Sequence, residues 1–255
     1  MESSTIPLNS PLELTLELTD EQFFQLCQEN RDLKFERTAN GELIIMPPTG
    51  SETGNTNLMG RCTYSDPPKS PLIRGVGVDF DWTLVPPLRR GVRGDRILCS
   101  FIKNWYNCNS GLNFQLTAWS SQNNLGVVFD SSSGFKLPDG SDISPDAAWV
   151  RRDRWDALTP EQKEKFAPIC PDFVVELREA KLSRRESASD SLEKLRAKMK
   201  VYIKNGAKLG WLLDRKNRQV EISRQGSDVE ILSSPATLSG EDVLPGFVLD
   251  LSDIL

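Results

Sequence analysis

A strand, helix and strand in direct succession constrain the fold of this 255-residue chain more than any other feature. PDFVVELR, residues 171–178, is an apolar run ending in charged residues, as is typical of a buried central strand. SDSLEKLRAKMKVYIKNG, residues 189–206, repeats apolar residues at helical spacing and ends at a glycine. GWLLD, residues 210–214, again has the pattern of a strand. Since strands joined through a helix generally run parallel, the pattern predicts an α/β domain with a parallel or mixed sheet.

The N-terminal region predicts a helix followed by a β-hairpin. Residues 17–29, ELTDEQFFQLCQE, place apolar residues on one side behind Thr19 or Asp20 as the N-cap. Residues 33–48, LKFERTANGELIIMPP, form two alternating segments around an Asn-Gly turn. Further along, residues 126–150 predict three short strands, and residues 151–168 predict a surface connection with a short helix.

The stretch from residue 62 to residue 113 does not fit this pattern. It is rich in proline, glycine and arginine, and it contains the near-repeat PLIRGV and PLRRGV. It also separates two segments that would otherwise form one amphipathic helix. We interpret residues 62–113 as a disordered insertion within a single domain that spans residues 1–255.

Composition removes several classes of function. The chain has no histidine, which excludes Ser-His-Asp, Cys-His and histidine-dependent nuclease chemistry. The five cysteines are scattered without a CxxC pair, so structural zinc is not expected. The net charge of −5 argues against nonspecific coating of nucleic acid by the whole surface, although not against a local basic cleft. With no signal-peptide pattern and no long apolar stretch, the sequence predicts a cytoplasmic protein with no membrane partner.

Carboxylates and a lysine are the groups left to carry chemistry. Asp146 follows a proline at the start of one apolar segment, and Glu176 lies at the end of another. Two carboxylates on neighbouring strands can share a magnesium ion, and a nearby lysine can orient a water molecule. This combination suits phosphodiester hydrolysis. On spacing alone, the alternative that both acids are ordinary solvent-exposed residues at strand ends stays open.

Three segments together carry a resemblance to a known family. They are SPDAAWVRRDRWDALTPEQKEKFAPICPDFVVELR, SDSLEKLRAKMKVYIKNGAKLGWLLD and LSGEDVLPGFVLDLSDIL. The chain resembles the Uma family of restriction endonucleases, a branch of the PD-(D/E)XK nuclease superfamily, over most of residues 10–61 and 114–255. The resemblance implies a restriction-endonuclease-like core, in which helices flank a mixed sheet of four or five strands and magnesium lies at the edge of the sheet.

The resemblance also assigns roles to particular residues. It implies that Asp146 and Glu176 are catalytic ligands of magnesium, with manganese as an alternative ion. The superfamily usually has a lysine two residues after the glutamate, but here Arg178 occupies that place. Arginine cannot act as a base, so its expected role is an electrostatic clamp on the scissile phosphate. The lysine instead matches Lys198 on the following helix, which is expected to be catalytic and to position the attacking water. Lys194, one turn earlier, is the reserve candidate.

Further positions have weaker assignments. Glu36 matches an acidic position in the family's N-terminal hairpin and is a candidate further ligand or support, with an ordinary strand-face glutamate as the equal alternative. Gln115 and Trp119 are expected to pack rather than react. Residues 179–186, EAKLSRRE, lengthen the connection between the strand of Glu176 and the helix of Lys198 relative to the family pattern.

The resemblance therefore predicts a metal-dependent DNA endonuclease, for which a homodimer would suit cleavage of both strands. Two alternatives stay open. The two insertions favour a nuclease fold that has lost activity and binds only nucleic acid or a protein partner. The acidic surface favours a metal-dependent hydrolase of a small phosphoester.

Overall fold

The computed structural model describes residues 12–30, 33–46, 108–178 and 188–255. Within these ranges the helices are α1 (Asp20–Glu29), α2 (Cys108–Asn123), α3 (Arg152–Asp156), α4 (Pro160–Glu164) and α5 (Ala188–Lys204). The strands are β1 (Leu12–Thr15), β2 (Lys34–Arg37), β3 (Glu42–Met46), β4 (Gly126–Asp130), β5 (Phe135–Lys136), β6 (Asp142–Ile143), β7 (Ala147–Arg151), β8 (Phe173–Arg178), β9 (Leu209–Asp214), β10 (Gln219–Arg224), β11 (Glu230–Ser233), β12 (Thr237–Ser239) and β13 (Val248–Asp250).

The main sheet has six strands in the order β11-β10-β9-β8-β7-β4. β8 and β9 are parallel neighbours joined through α5, while β7 and β10 flank them in antiparallel register. Every residue of β8 and β9 is buried. The mixed α/β sheet predicted from the strand, helix and strand succession is confirmed, with six strands where the resemblance implies four or five.

The N-terminal hairpin lies in a second sheet, of order β1-β3-β2-β6-β5, whose strands pair antiparallel. The helix before the hairpin begins as predicted, because the side chain of Thr19 accepts from the backbone N–H of Gln22 in a capping box. The turn between β2 and β3 passes through Gly41 at φ +83°, a conformation that favours glycine. The same device, Thr159 with Gln162, caps α4.

The alternating side chains of the main sheet build two separate cores. Phe173 and Val175 of β8 face a cluster that includes α2 and the C-terminal residues, whereas Val174 faces a cluster that includes α5. Along β9, Trp211 belongs to the first cluster and Leu212 to the second. Since Glu176 has the same parity as Val174, its side chain is directed to the face of the sheet that α5 covers.

Helix α5 approaches this face closely at Gly210. A Cβ at this position would lie 2.2 Å from the Met199 Sδ atom and 3.4 Å from a methyl carbon of Val174. These separations are shorter than or at the limit of van der Waals contact, so the absence of a side chain lets the helix rest on the strand. Lys198 directly precedes Met199 on the same helix, so it lies next to this contact.

The structure differs from the sequence predictions at some boundaries. Helix α2 begins at Cys108, and Leu112 is fully buried, so residues 108–113 belong to the domain core and not to the insertion. The predicted insertion up to residue 107 and the extra residues 179–186 lie outside the described residues. Residues 126–151 form four strands where three were predicted. Among the described helices, none is long and apolar enough to cross a membrane.

Candidate active site

Asp146 and Glu176 lie side by side on adjacent strands. Asp146 directly precedes β7, and its backbone N–H donates to the Val175 carbonyl at 3.0 Å. Its side-chain Oδ2 accepts from the Leu177 N–H at 2.8 Å. Next to the backbone hydrogen bonds that join β7 to β8, one carboxylate oxygen of Asp146 therefore adds a side-chain hydrogen bond to the backbone of β8. This bond holds Asp146 against the strand that carries Glu176.

The Glu176 carboxyl is the most deeply buried acid of the site, with 3% of its side chain exposed. The pKa of Glu176 is raised to about 7, because burial and the negative charge of Asp146 raise it more than the positive charge of Lys198 lowers it. Its Oε1 lies 2.9 Å from the Lys198 Nζ but accepts no well-directed hydrogen bond from the described residues. This oxygen retains capacity for a further donor or a cation.

Lys198 projects from α5 into a cage of oxygen atoms. Its Nζ lies 2.8 Å from Glu36 Oε1 and 2.9 Å from Glu176 Oε1, and it donates to the Ser144 carbonyl at 2.9 Å. Burial lowers the pKa of Lys198, but the charges of Glu176, Glu36 and Asp146 raise it more, so the net shift is upward. Lys198 is therefore a cation at neutral pH and cannot accept a proton from water.

Glu36 reaches the same cage from the second sheet. Besides the contact with Lys198, its Oε1 accepts from the Ser144 N–H at 3.1 Å and lies 4.0 Å from the Lys34 Nζ. Burial raises the pKa of Glu36, but Lys198, Lys34 and the hydrogen bond from Ser144 bring it below its ordinary value. Glu36 is thus a charged carboxylate that joins the hairpin to α5.

The structure brings Glu36 together with the three residues predicted to be catalytic and places other candidates elsewhere. Arg178, at the end of β8, donates from Nη1 to Asp214 Oδ2 at 2.7 Å, and both side chains are 2% exposed. This ion pair gives Arg178 a structural role, and contact with a phosphate stays a prediction. Lys194 is 57% exposed and donates to Glu13 at 3.1 Å, outside the cage around Lys198.

Gln115 and Trp119 attach α2 to the C-terminal region. Gln115 exchanges two hydrogen bonds with the backbone of Asp250, at 2.8 and 3.0 Å. Trp119 donates to the Pro245 carbonyl at 3.2 Å. Both residues therefore have packing and hydrogen-bonding partners away from the carboxylates.

Sequence reasoning missed Lys34, Ser144 and Tyr202 at this site. Lys34 lies two residues before Glu36, the spacing that puts both side chains on one face of a strand. Tyr202 follows Lys198 by one helical turn and is fully buried, and burial together with Glu176 raises the pKa of its hydroxyl well above the ordinary value. Those spacings could have identified both residues. Ser144 contributes backbone groups, for which the sequence carries no signal.

The residues of the site fit a divalent cation that keeps most of its water. Within the described ranges, no group of three or more histidine, cysteine, aspartate or glutamate side chains is arranged to hold a metal ion. Asp146 and Glu176 supply two carboxylates, including the buried Glu176 oxygen that lacks a directed donor. Magnesium is typically held by one or two protein carboxylates and several waters, so this donor set suits it.

Comparisons with known proteins found a family and similar solved structures. The profile of the Uma2 family, described as "Putative restriction endonuclease", matches residues 104–252. Among solved structures, the chain is similar to the crystal structure of a putative nuclease belonging to DUF820 from Anabaena variabilis. The two chains are 18% identical with a TM-score of 0.45, over 58% of this chain and 80% of that chain. No curated protein matches the chain.

Proposed function

Because the chain belongs to the Uma2 family of putative restriction endonucleases, we propose that it is a metal-dependent DNA endonuclease hydrolysing phosphodiester bonds. The observation that carries the proposal is the cluster of Asp146, Glu176 and Lys198 on one face of the main sheet. A buried acid with a raised pKa beside a second acid and a buried cation is typical of a functional site. Ordinary strand-end acids would be solvated and unpaired.

Asp146 and Glu176 are the residues that would hold magnesium or manganese. A divalent cation there supplies positive charge that offsets the negative charge of the phosphoryl group in the transition state. Asp146 is fixed by the bond from Leu177, and Glu176 is fixed by burial within β8. The protein therefore presents both carboxylates in place before any substrate binds, which limits the reorganisation that the reaction requires.

Lys198 acts in this proposal as a fixed positive charge. Its raised pKa excludes a role as a general base at neutral pH, so it cannot activate water by taking a proton. It instead compensates Glu36 and Glu176, which keeps two buried carboxylates close together. The same charge favours the approach of a phosphodiester. A two-fold dimer of the chain would bring two such sites to the two strands of a duplex.

A plasmid-nicking assay with magnesium or manganese tests the proposal. Asp146→Asn is the sharpest variant, because the amide oxygen can still accept from the Leu177 N–H while the negative charge is removed. Glu176→Gln removes the second charge at constant shape. We expect each variant to nick at least about a hundredfold more slowly than the unaltered protein. Lys194→Met, on the same helix but outside the site, is the matched control and should nick normally.

Three other results have distinct meanings. Equal nicking by the unaltered protein and both acid variants would remove this site from the reaction. A protein that binds duplex DNA but does not nick it with either metal would support the alternative of a nuclease fold that binds nucleic acid without cleaving it. Loss of nicking in Lys194→Met as well would show that nicking also depends on a residue outside the site, and would contradict the assignment of the reaction to this site alone.

A further inference from the structure

The site needs a cation that can contact the substrate, and Lys198 is poorly placed for that task. Three oxygen atoms already crowd its Nζ at 2.8–2.9 Å, one each from Ser144, Glu36 and Glu176. Its side chain is 15% exposed. A phosphate oxygen would have to displace one of these oxygens before it could bind Lys198. Arg178 is no better placed, because its guanidinium is buried against Asp214.

Lys34 lies close to the same carboxylates and is partly exposed to solvent. It is the first residue of β2 and lies on the same strand face as Glu36, two residues away. Its Nζ lies 4.0 Å from Glu36 Oε1, at the outer limit of an ion pair, and its side chain is 28% exposed. Its positive charge acts on both Glu36 and Glu176. Lys34 is thus close to the acids and partly open to solvent.

We propose that Lys34 binds a phosphate group of duplex DNA beside the scissile position. This inference rests on the proposed function, since it adds a contact between the protein and the DNA that the same site would cleave. Lysine is a flexible point charge that commonly binds phosphate, and an ammonium held 4.0 Å from its nearest carboxylate retains donors for a new acceptor. The contact is with the backbone and carries no preference for base sequence.

The salt dependence of DNA binding tests this role directly. Affinity for a fluorescein-labelled duplex oligonucleotide is measured by fluorescence anisotropy across a series of salt concentrations, in calcium so that binding is followed without cleavage. The proteins are the unaltered chain, Lys34→Met, Lys34→Arg and the control Lys194→Met. One phosphate contact contributes about 0.9 to the slope of log affinity against log salt concentration. We expect Lys34→Met to lower that slope by about 0.9 and the other two variants to leave it unchanged.

Several outcomes would overturn the proposal. An unchanged slope in Lys34→Met would do so even if affinity fell, because a structural role weakens binding without removing a counterion-releasing contact. An equal decrease in Lys194→Met would show a general effect of charge. Failure of the unaltered protein to bind the duplex would also overturn it. The assay is independent of nicking, so a protein in which Asp146→Asn and Glu176→Gln nick normally can still show the expected Lys34 slope, which separates the two failures.

Discussion

Replacement of Lys198 by methionine should make the protein much less stable. The loss in the free energy of unfolding should depend on pH. Methionine keeps most of the side-chain volume but removes the charge between Glu36 and Glu176. Removing one partner of a buried ion pair typically costs about 3–5 kcal/mol, because the remaining charge stays buried and unpaired. Here two buried carboxylates lose their shared cation. We expect a loss of about 3–5 kcal/mol in the free energy of unfolding at neutral pH.

The pKa shifts of the three groups fix the direction of the pH dependence. The lowered pKa of Glu36 means that its charged form stabilises the fold at neutral pH, and this contribution is lost as pH falls through the lowered pKa. The raised pKa of Glu176 acts in the opposite direction, since its stabilising contribution is complete below its ordinary pKa and is lost as pH rises through about 7. The raised pKa of Lys198 keeps its stabilising contribution complete throughout the neutral and acid range.

Without Lys198, burial becomes the main influence on Glu36, and its pKa should rise above the ordinary value as that of Glu176 does. Both acids then favour the protonated form in the folded state. The gap in stability between the unaltered protein and Lys198→Met should therefore be largest near about pH 7.5 and smaller near about pH 5.5.

Urea unfolding followed by tryptophan fluorescence measures this gap, since Trp149 and Trp211 are buried in the core. Lys194→Met is the control, because its pair with Glu13 is exposed and such pairs contribute about 0–1 kcal/mol. The reasoning would be refuted by equal losses in the two variants, or by a gap for Lys198→Met that grows as the pH falls.

Other predictions follow from contacts in and around the site. Asp214→Ala should lower the free energy of unfolding in urea by about 3–5 kcal/mol, since it removes the buried carboxylate that pairs with Arg178; a loss below about 1 kcal/mol would contradict the importance of that pair. Gly210→Ala should cost about 1–3 kcal/mol in the same assay, and combining it with Met199→Ala should cost less than the sum of the two single changes; strict additivity would argue against the close contact. Because burial raises the pKa of Glu176 to about 7, magnesium affinity measured by calorimetry should fall as pH is lowered through that value, and a flat profile would contradict Glu176 as a ligand.

Local signals in the sequence predicted much of the fold. The cap at Thr19, the turn at Gly41 and the succession of β8, α5 and β9 each depend on residues close together in the chain, and the structure confirms them. Strand alternation places Asp146 and Glu176 on the same face, so their proximity follows from β7 and β8 being neighbours. These features could be predicted because each depends on backbone geometry over a few neighbouring residues.

The parts that could not be predicted depend on which surfaces meet. The residues around Glu36 do not show that the hairpin packs close to Lys198 of α5. Periodicity in the sequence identifies an apolar face, but it does not identify the surface that packs against that face. The ion pair of Arg178 with Asp214 depends likewise on which strands are neighbours, since Asp214 lies opposite Arg178 only in the parallel register of β8 and β9. The start of α2 at Cys108 was missed because residues 109–113, NSGLN, are rich in asparagine, serine and glycine, which favour turns.

The close seat of α5 on Gly210 makes the reactivity of the site adjustable from a position that takes no part in it. The electrostatic field at Glu176 depends on the separation from the Lys198 ammonium, and that separation depends on how far the helix stands from the strand. A graded series of side chains at residue 210 would press against Met199 of α5 to increasing degrees while every ionisable group of the site is kept. Protein engineering could in this way test how the charge environment of Glu176 depends on the position of the helix, whereas replacement of Asp146 or Glu176 removes the group itself.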